Sequence, residues 1–408
     1  MRLFYNIGIH TYNLLVFIAA LKSNKAKLWI NGRKNWKSQL NSIPDNKRIY
    51  WFHCASLGEF EQGRPVIEAI KNQSPETFIL ITFYSPSGYE IRKNYEHADL
   101  IMYLPADTSK NATLFIDKVN PDAAFFIKYE FWFNYIQQLH KRNIKLYSIS
   151  AIFRPNQLFF KSGAAWFRKH LNYFTHFFVQ NKQSKTLLEN LGISQVTISG
   201  DTRYDRVYDI AKANERIPIV EEFSKNHFTV IAGSTWEPEN EMLIKLANNT
   251  ADNVRIVIAP HELHEKTYEK IENNTQAKVV RFSKATPESL TNSKILIIDN
   301  IGLLSKLYRY GTIALIGGGF GKGIHNILEP AVYGLPVLFG PNYKKFHEAK
   351  TMVNKEIGFA FTDFATFEKT VTRFLNNTAF LNTKIKETTS FVDSQLGATN
   401  TIVKHIDI

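Results

Sequence analysis

The sequence predicts an α/β protein of two similar domains, each a parallel sheet covered by helices. Three observations carry that prediction. Short apolar runs alternate with helical patterns along most of the chain. At 408 residues the chain is long for one hydrophobic core and suits two. The same order of strand, loop and helix starts again near Phe228, after a polar connection interrupted by Pro218.

The apolar fraction of 44% excludes a disordered chain, and a single cysteine, Cys54, excludes a disulfide framework and a thiolate zinc cluster. The net charge of +13 favours anionic partners. Nine Lys and Arg side chains stand against one acid, Asp45, in residues 1–49, and the rest of the excess is scattered. No RNA-binding strand signature, zinc-finger spacing or basic tail accompanies it, so nucleic acid is the weaker partner.

Residues 3–21 carry no Lys, Arg, Asp or Glu, yet Asn6, His10, Thr11 and Asn13 interrupt the apolar run. No small-residue cleavage pattern precedes the basic stretch. A helix lying in a membrane interface, with Lys22–Lys37 meeting anionic headgroups, accounts for both features. A buried first helix and a single span are the alternatives.

In the first domain, strands are expected at 48–54, 77–83, 101–104, 123–127, 146–150, 177–180 and 195–198. Helices are expected at 64–71, with Pro65 in the first turn, and at 89–96, 111–119, 133–142, 156–170 and 182–191. In the second, strands are expected at 228–232, 254–259, 277–281 and 295–298, with helices at 239–247, 262–272, 303–310, 349–356 and 365–376. A helical portion near 398–405 closes the chain. The expected division is 1–46, a membrane-associated helix and basic segment; 47–207 and 208–378, the two sheet domains; and 379–408, a helical tail that packs back on the first domain.

The densest chemical signal is Gly311–Pro341. An apolar run ends at Ile316. Gly317, Gly318, Gly319, Gly321 and Gly323 follow, with Lys322 among them, and a helical pattern starts near His325 and carries Asn326 and Glu329. Free backbone N–H groups and a helix N-terminus suit a phosphate or carboxylate. A tight turn with no ligand is the alternative. The spacing matches neither a Walker A loop nor a clean GxGxxG.

Open parallel sheets present reactive groups where their strands end. Ser56-Leu57-Gly58-Glu59 follows the first strand, and there Glu59 can act as a base on an attacking hydroxyl while Gly58 lets a substrate approach. Glu61 and Gln62 are rivals, and a helix-capping glutamate is the plain alternative. Glu130, set among Tyr129, Phe131 and Trp132, suits substrate hydroxyls or a buried cation, or else a structural salt bridge. Ser234, Thr235 and His261 follow two strands of the second domain and suit a nucleotide. Neither a compact metal-ligand spacing nor a GxSxG nucleophile elbow is present.

These stretches together resemble the 3-deoxy-D-manno-octulosonic acid (Kdo) transferases of the lipid A pathway. The matching pieces are SLGE at 56–59, TFYSPSG at 82–88, KYEFWFN at 128–134, GDTRYD at 200–205, GSTWEPE at 233–239, APHE at 259–262 and GGGFGKGIHNILEPAVYGLPVLFGP at 317–341. The resemblance implies a GT-B fold, in which two Rossmann-like domains face an interdomain cleft, with a membrane-associated amino-terminal helix. It implies an inverting glycosyltransferase that needs no cofactor or metal and moves Kdo from CMP-Kdo to a lipid A precursor on the cytoplasmic face of the bacterial inner membrane. It makes Glu59 the catalytic base. It assigns CMP to Ser234, Thr235, the 317–323 loop, Asn326 and Glu329, and substrate contacts to Ser56, Gly58 and Glu130. Where the family often has Pro-Arg-His, this chain has Pro260-His261-Glu262, so His261 takes the place of an arginine; Arg154, Arg203 and Lys322 are the other candidate cations. Another GT-B nucleotide-sugar transferase or epimerase, or a non-enzymatic glycolipid-binding membrane protein, are the competing readings. Kdo number, exact acceptor and oligomeric state are not encoded in these motifs.

Overall fold

A computed structural model describes residues 1–213 and 215–406. They form two compact units: Met1–Arg206 joined by the segment from Leu396 onward, and Val207–Gln395.

The sheet of the first unit contains β1 (Ile49–Cys54), β2 (Phe78–Phe83), β3 (Leu100–Tyr103), β4 (Ala123–Ile127), β5 (Lys145–Ala151), β6 (His176–Val179) and β7 (Val196–Ile198). All pairs are parallel, in the order β3-β2-β1-β4-β5-β6-β7. β1, β2 and β4 are buried along their whole length, which explains why they read as continuous apolar runs rather than alternating ones. One face packs Trp51, Phe115, Phe126 and Tyr135 together; the other packs Phe52, Phe60, Phe83 and Phe125.

The last helix, Ala398–Ile406, belongs to this unit and adds Ile402, Val403 and Ile406 to its second core face. Asp205 anchors it, accepting from the Gly397 and Thr399 N–H groups at 2.7 Å each. That carboxylate meets the positive end of the helix, so Asp205 in the GDTRYD stretch has a structural role.

The second unit repeats the plan with β8 (Phe228–Thr235), β9 (Val254–Pro260), β10 (Val279–Arg281), β11 (Ile295–Ile297), β12 (Ile313–Ile316), β13 (Val337–Phe339) and β14 (Gly358–Ala360). The order is β10-β11-β9-β8-β12-β13-β14, again all parallel. Each unit has a topological switch point, at β1/β4 and at β8/β12, and such crevices are where open sheets hold ligands.

Several elements differ from the sequence reading. The helix expected at 64–71 runs from Leu57 to Gln73, so Pro65 lies in its interior rather than its first turn. The helix expected over 156–170 is only a 3-10 turn, Leu158–Phe160, and the helix Ala165–Leu171, because Gly163 turns the chain at φ +78°. Pro218 begins a helix, Pro218–Ser224, where a break is expected, since its fixed φ and missing N–H suit a first turn. Thr378–Asp393 is a full helix that the polar run of threonines concealed.

The amino-terminal helix spans Arg2–Ala19. One face joins the first unit: Tyr5 donates to Asp107 Oδ2 at 2.5 Å and packs edge-on to Phe133, and Asn134 donates to Asn6 Oδ1 at 2.9 Å. Leu3, Phe4, Ile7, Leu14, Leu15, Phe17 and Ile18 are exposed. Among the described residues no helix is long and apolar enough to cross a membrane.

Candidate functional site

At the β1/β4 switch point the chain leaves β1 through Ala55 and enters the Leu57–Gln73 helix at Ser56. Glu59 lies in the first turn, where the helix N-terminus favours a carboxylate. It is 8% exposed. Ser56 Oγ donates to Glu59 Oε2 in a short contact, and Lys128 Nζ stands 3.8 Å from Glu59 Oε1. A Cβ on Gly58 would meet only Ser56 Oγ at 3.8 Å, so the approach to the backbone is open.

The structure separates the three rivals on this helix. Glu61 accepts from Arg92 at 2.7 Å and lies 3.9 Å from Arg64. Gln62 donates to Asp201 Oδ1 at 3.2 Å, and its carbonyl accepts from Thr202 in a short bond. Both hold the unit together, whereas Glu59 keeps a serine and a distant ammonium. Cys54, at the end of β1, is fully buried, and burial followed by the Glu59 charge pushes its thiol well up.

β4 delivers the other half. Lys128 takes a left-handed backbone, φ +70°, that turns the chain just past the strand. Glu130 accepts from Trp132 Nε1 at 3.0 Å and lies 3.8 Å from His53 Nε2. His53 is wholly buried, its Nδ1 2.9 Å from Thr82 Oγ1, and its Nε2 has no closer partner. Tyr129 is raised by burial and by the Glu59 charge, with Arg154 opposing, which brings Arg154 into the electrostatic range of the same site. Arg203 is spent elsewhere: its guanidinium grips Asp201, with Nη2 to Oδ2 at 2.7 Å. Asp201 is buried, which opposes ionisation, but the Arg203 bonds prevail and its pKa falls.

In the second unit, Ser234 lies near the end of β8 at φ +52°, and Thr235 is 1% exposed with no hydrogen-bond partner for its hydroxyl among the described residues. The glycine loop runs beside it: Gly317 N–H donates to Gly233 O at 3.0 Å across the switch point.

The loop is not the open cradle of N–H groups that the sequence implies. Gly318 N–H donates to Glu239 Oε1 at 3.0 Å. The Gly321 and Gly323 N–H groups both donate to Gly318 O, and His325 N–H donates to Gly317 O. A side chain on Gly319 would stand 2.5 Å from the Gly340 backbone, and one on Gly317 2.2 Å from Ser234 O. These glycines serve chain packing, and Gly321 alone of the five opens outward, its nearest atom 3.8 Å away. The helix expected from His325 begins only at Leu328 and ends at Ala331: the Gly321, Gly323 and His325 N–H groups bond within the loop, and Asn326 Oδ1 takes the Leu328 N–H at 3.1 Å. Four residues carry little dipole. Asn326 Nδ2 also donates to Glu329 Oε1 at 3.0 Å. Lys322 is exposed, and its carbonyl accepts from Lys345 Nζ in a short contact.

Two residues at this end escaped the sequence reading. Trp236 and His325 each stack on His261, with ring centroids 4.6 and 4.4 Å from its own and planes tilted by 28° and 27°. Trp236 Nε1 donates to His325 Nε2 at 3.2 Å. Burial, then the neighbouring His261, lowers His325 to about 4, so its ring is neutral at physiological pH. Glu239, fully buried, accepts the Trp236 and Gly318 N–H groups; burial raises its pKa against those bonds. The signal for Glu239 is an acid at the third helical position, behind Pro238, which reaches back to the N-cap N–H as in one half of a capping box.

Two Rossmann-like units in one chain, one with an acid and the other with a glycine loop at the switch point, define a GT-B protein. Solved structures agree on the fold: the UDP-GlcNAc 2-epimerase from Neisseria meningitidis bound to UDP-GlcNAc (TM-score 0.61, 14% identity, 88% of this chain and 99% of that one) and a putative UDP-N-acetylglucosamine 2-epimerase from Listeria monocytogenes (TM-score 0.60, 14%, 88% and 96%).

The chain matches the amino-terminal model of the 3-deoxy-D-manno-octulosonic-acid transferase (kdotransferase) family over residues 33–206. It is 25% identical over 323 residues to the 3-deoxy-D-manno-octulosonic acid transferase of Aquifex aeolicus, covering 77% of this chain and 82% of that protein. It is 25% identical over 314 residues to the Rickettsia bellii transferase of that name, covering 74% and 73%. A bifunctional glycosyltransferase/methyltransferase of Fusobacterium nucleatum matches 96% of this chain at 24% identity, and the chain spans 63% of that protein's length.

Proposed function

We propose that this chain is an inverting, metal-independent glycosyltransferase that moves Kdo from CMP-Kdo to a hydroxyl of a lipid A precursor, lipid IVA, and releases CMP. The observation that carries the reading is Glu59: a nearly buried carboxylate in a helix's first turn, at a switch point, held by one serine while its neighbours Glu61 and Gln62 are committed to the scaffold.

Glu59 takes the proton of the acceptor hydroxyl. The oxygen attacks the anomeric C2 of Kdo as the bond from C2 to the CMP phosphate oxygen breaks, so one displacement inverts configuration. Glu130, Arg154 and Lys128 meet the acceptor. Ser234, Thr235, the outward-facing Gly321 with Lys322, and the Asn326–Glu329 pair meet CMP, and the Trp236–His261–His325 stack offers the cytidine a ring face. Hydrogen-bond donors aimed at the leaving phosphate stabilise its growing charge. The enzyme works on the cytoplasmic face of the inner membrane, a reading supported by the exposed apolar face of Arg2–Ala19 beside the basic segment.

The test is mass spectrometry of the product formed from CMP-Kdo and lipid IVA, with and without a chelator. One or more Kdo units added in both conditions support the reading. Protection against unfolding by UDP but not CMP, with no Kdo transfer, favours a different nucleotide-sugar enzyme.

A further inference from the structure

A pocket of about 280 Å³ lies beneath the amino-terminal helix and is not accounted for by either half of the proposed reaction. Phe17, Ile30, Trp36 and Pro105 supply apolar wall, and Arg33 and Lys34 supply charge. No Asp or Glu lines it.

Its electrostatics are incomplete. Arg33 is 9% exposed, and its guanidinium donates only to carbonyls: Leu104 O at 2.7 Å, Trp29 O at 2.9 Å and Tyr84 O at 2.7 Å. It lies 3.8 Å over the Trp29 ring. Among the described residues no carboxylate stands within ion-pair distance of it. A buried cation without an anion is unfavourable unless a ligand or solvent compensates. Lys34, exposed at the rim, has no partner either among the described residues. Two buried polar atoms of lining residues are also unpartnered: the Trp29 Nε1–H donor and Asn13 Oδ1. Its wall residue Phe17 is 64% exposed and shares the Arg2–Ala19 helix with the exposed Leu14 and Ile18.

We infer that this pocket binds one anionic phospholipid of the bilayer, its phosphate between Lys34, Arg33 and the Trp29 N–H, and its first methylenes against Phe17 and Trp36. Charge complementarity selects the headgroup, and continuity with the apolar helix face selects a lipid over a free anion. The inference shares the membrane setting proposed above, yet it can be tested without a bilayer.

The full-length chain is titrated by calorimetry with dihexanoyl-phosphatidylglycerol below its micelle concentration, with dihexanoyl-phosphatidylcholine and inorganic phosphate as comparison arms. Saturable one-to-one binding of the anionic lipid, at least about fivefold tighter than the zwitterionic one, is expected, with phosphate weaker than either by about tenfold. Lys34→Glu should weaken the anionic lipid about tenfold and Trp29→Phe, which keeps the ring and removes the donor, about threefold, with unfolding curves unchanged. Equal binding of the two lipids, phosphate binding as tight as the lipid, or unchanged affinity in both variants would overturn the inference. Failure of the membrane reading shows separately, as unchanged vesicle flotation when Leu14, Leu15 and Ile18 are made polar.

Discussion

Glu59 Oε1 lies 3.8 Å from the Lys128 ammonium, and Lys128 holds that position from a backbone at φ +70°. The separation suits an ion pair but is too long for a hydrogen bond. Ser56 takes Oε2, whereas Oε1 is held electrostatically with no hydrogen bond from the ammonium, which is a quarter exposed and free to turn to an acceptor.

Replacing Glu59 by Gln removes the proton acceptor and preserves the side chain's shape. Turnover should fall by about 10²–10⁴-fold. CMP-Kdo affinity, measured by calorimetry, should stay within about twofold of the parent. Lost donor binding with turnover preserved would sink the role of Glu59 as base.

The left-handed backbone at Lys128 costs a residue with a Cβ about 1 kcal/mol. Lys128→Gly should therefore be about 1 kcal/mol more stable than Lys128→Ala in urea unfolding. Both should lose about tenfold in turnover through poorer positioning of Glu59, with CMP binding unaffected. Equal stability of the two variants would show that the backbone there is unstrained.

Gly319 and Gly321 look alike in sequence and should behave differently. A Cβ at 319 meets the Gly340 backbone at 2.5 Å, whereas at 321 nothing lies nearer than 3.8 Å. Gly319→Ala should cost about 1–3 kcal/mol. Gly321→Ala should change stability by no more than about 0.5 kcal/mol, while a larger residue there weakens CMP binding. Comparable melting temperatures would contradict this division.

Leu14, Leu15 and Ile18 are 59%, 58% and 54% exposed. Changing all three to Ser should lower vesicle partitioning by about 100-fold. The melting temperature should stay within about two degrees, since no packing is lost. Flotation equal to that of the parent would remove this face from membrane docking.

The His176 ring lies 4.0 Å from that of His405 in the last helix, tilted by 42°, and its Nε2 lies 2.9 Å from Thr197 Oγ1. Burial first, then His405, lowers its pKa from 6.5 to about 4. The folded state therefore prefers the neutral ring. That contribution is present above pH 6.5 and is lost as pH falls toward 4. Allowing for solvent screening, the first unit should lose about 1–2 kcal/mol over this window. His176→Gln should flatten the dependence, and hydrogen exchange in Ala398–Ile406 reports it. An unchanged slope in the variant would point to other groups.

The alternating sheets were legible because parallel strands buried on both faces leave apolar runs, as in Ala123–Ile127 and Ile313–Ile316. Glu59, Glu130 and the glycine loop stood out because each directly follows such a run. Local periodicity failed where residues outside the window decide the ending. Pro65 reads as a helix start, but the helix begins eight residues earlier, above buried Phe60. The Gly318 N–H reads as free because its acceptor, Glu239, lies 79 residues away.

The sequence alone thus determined the fold class, the motif order and the choice of candidate carboxylates, since these depend on pattern along the chain. Only the tertiary structure decided which glutamate is unspent, which glycine faces outward, and that Trp236, His261 and His325 form one stack. Those properties are set by contacts between strand ends that are remote in sequence, and a hydrogen-bonding group is available to a substrate only when no other part of the fold has already satisfied it.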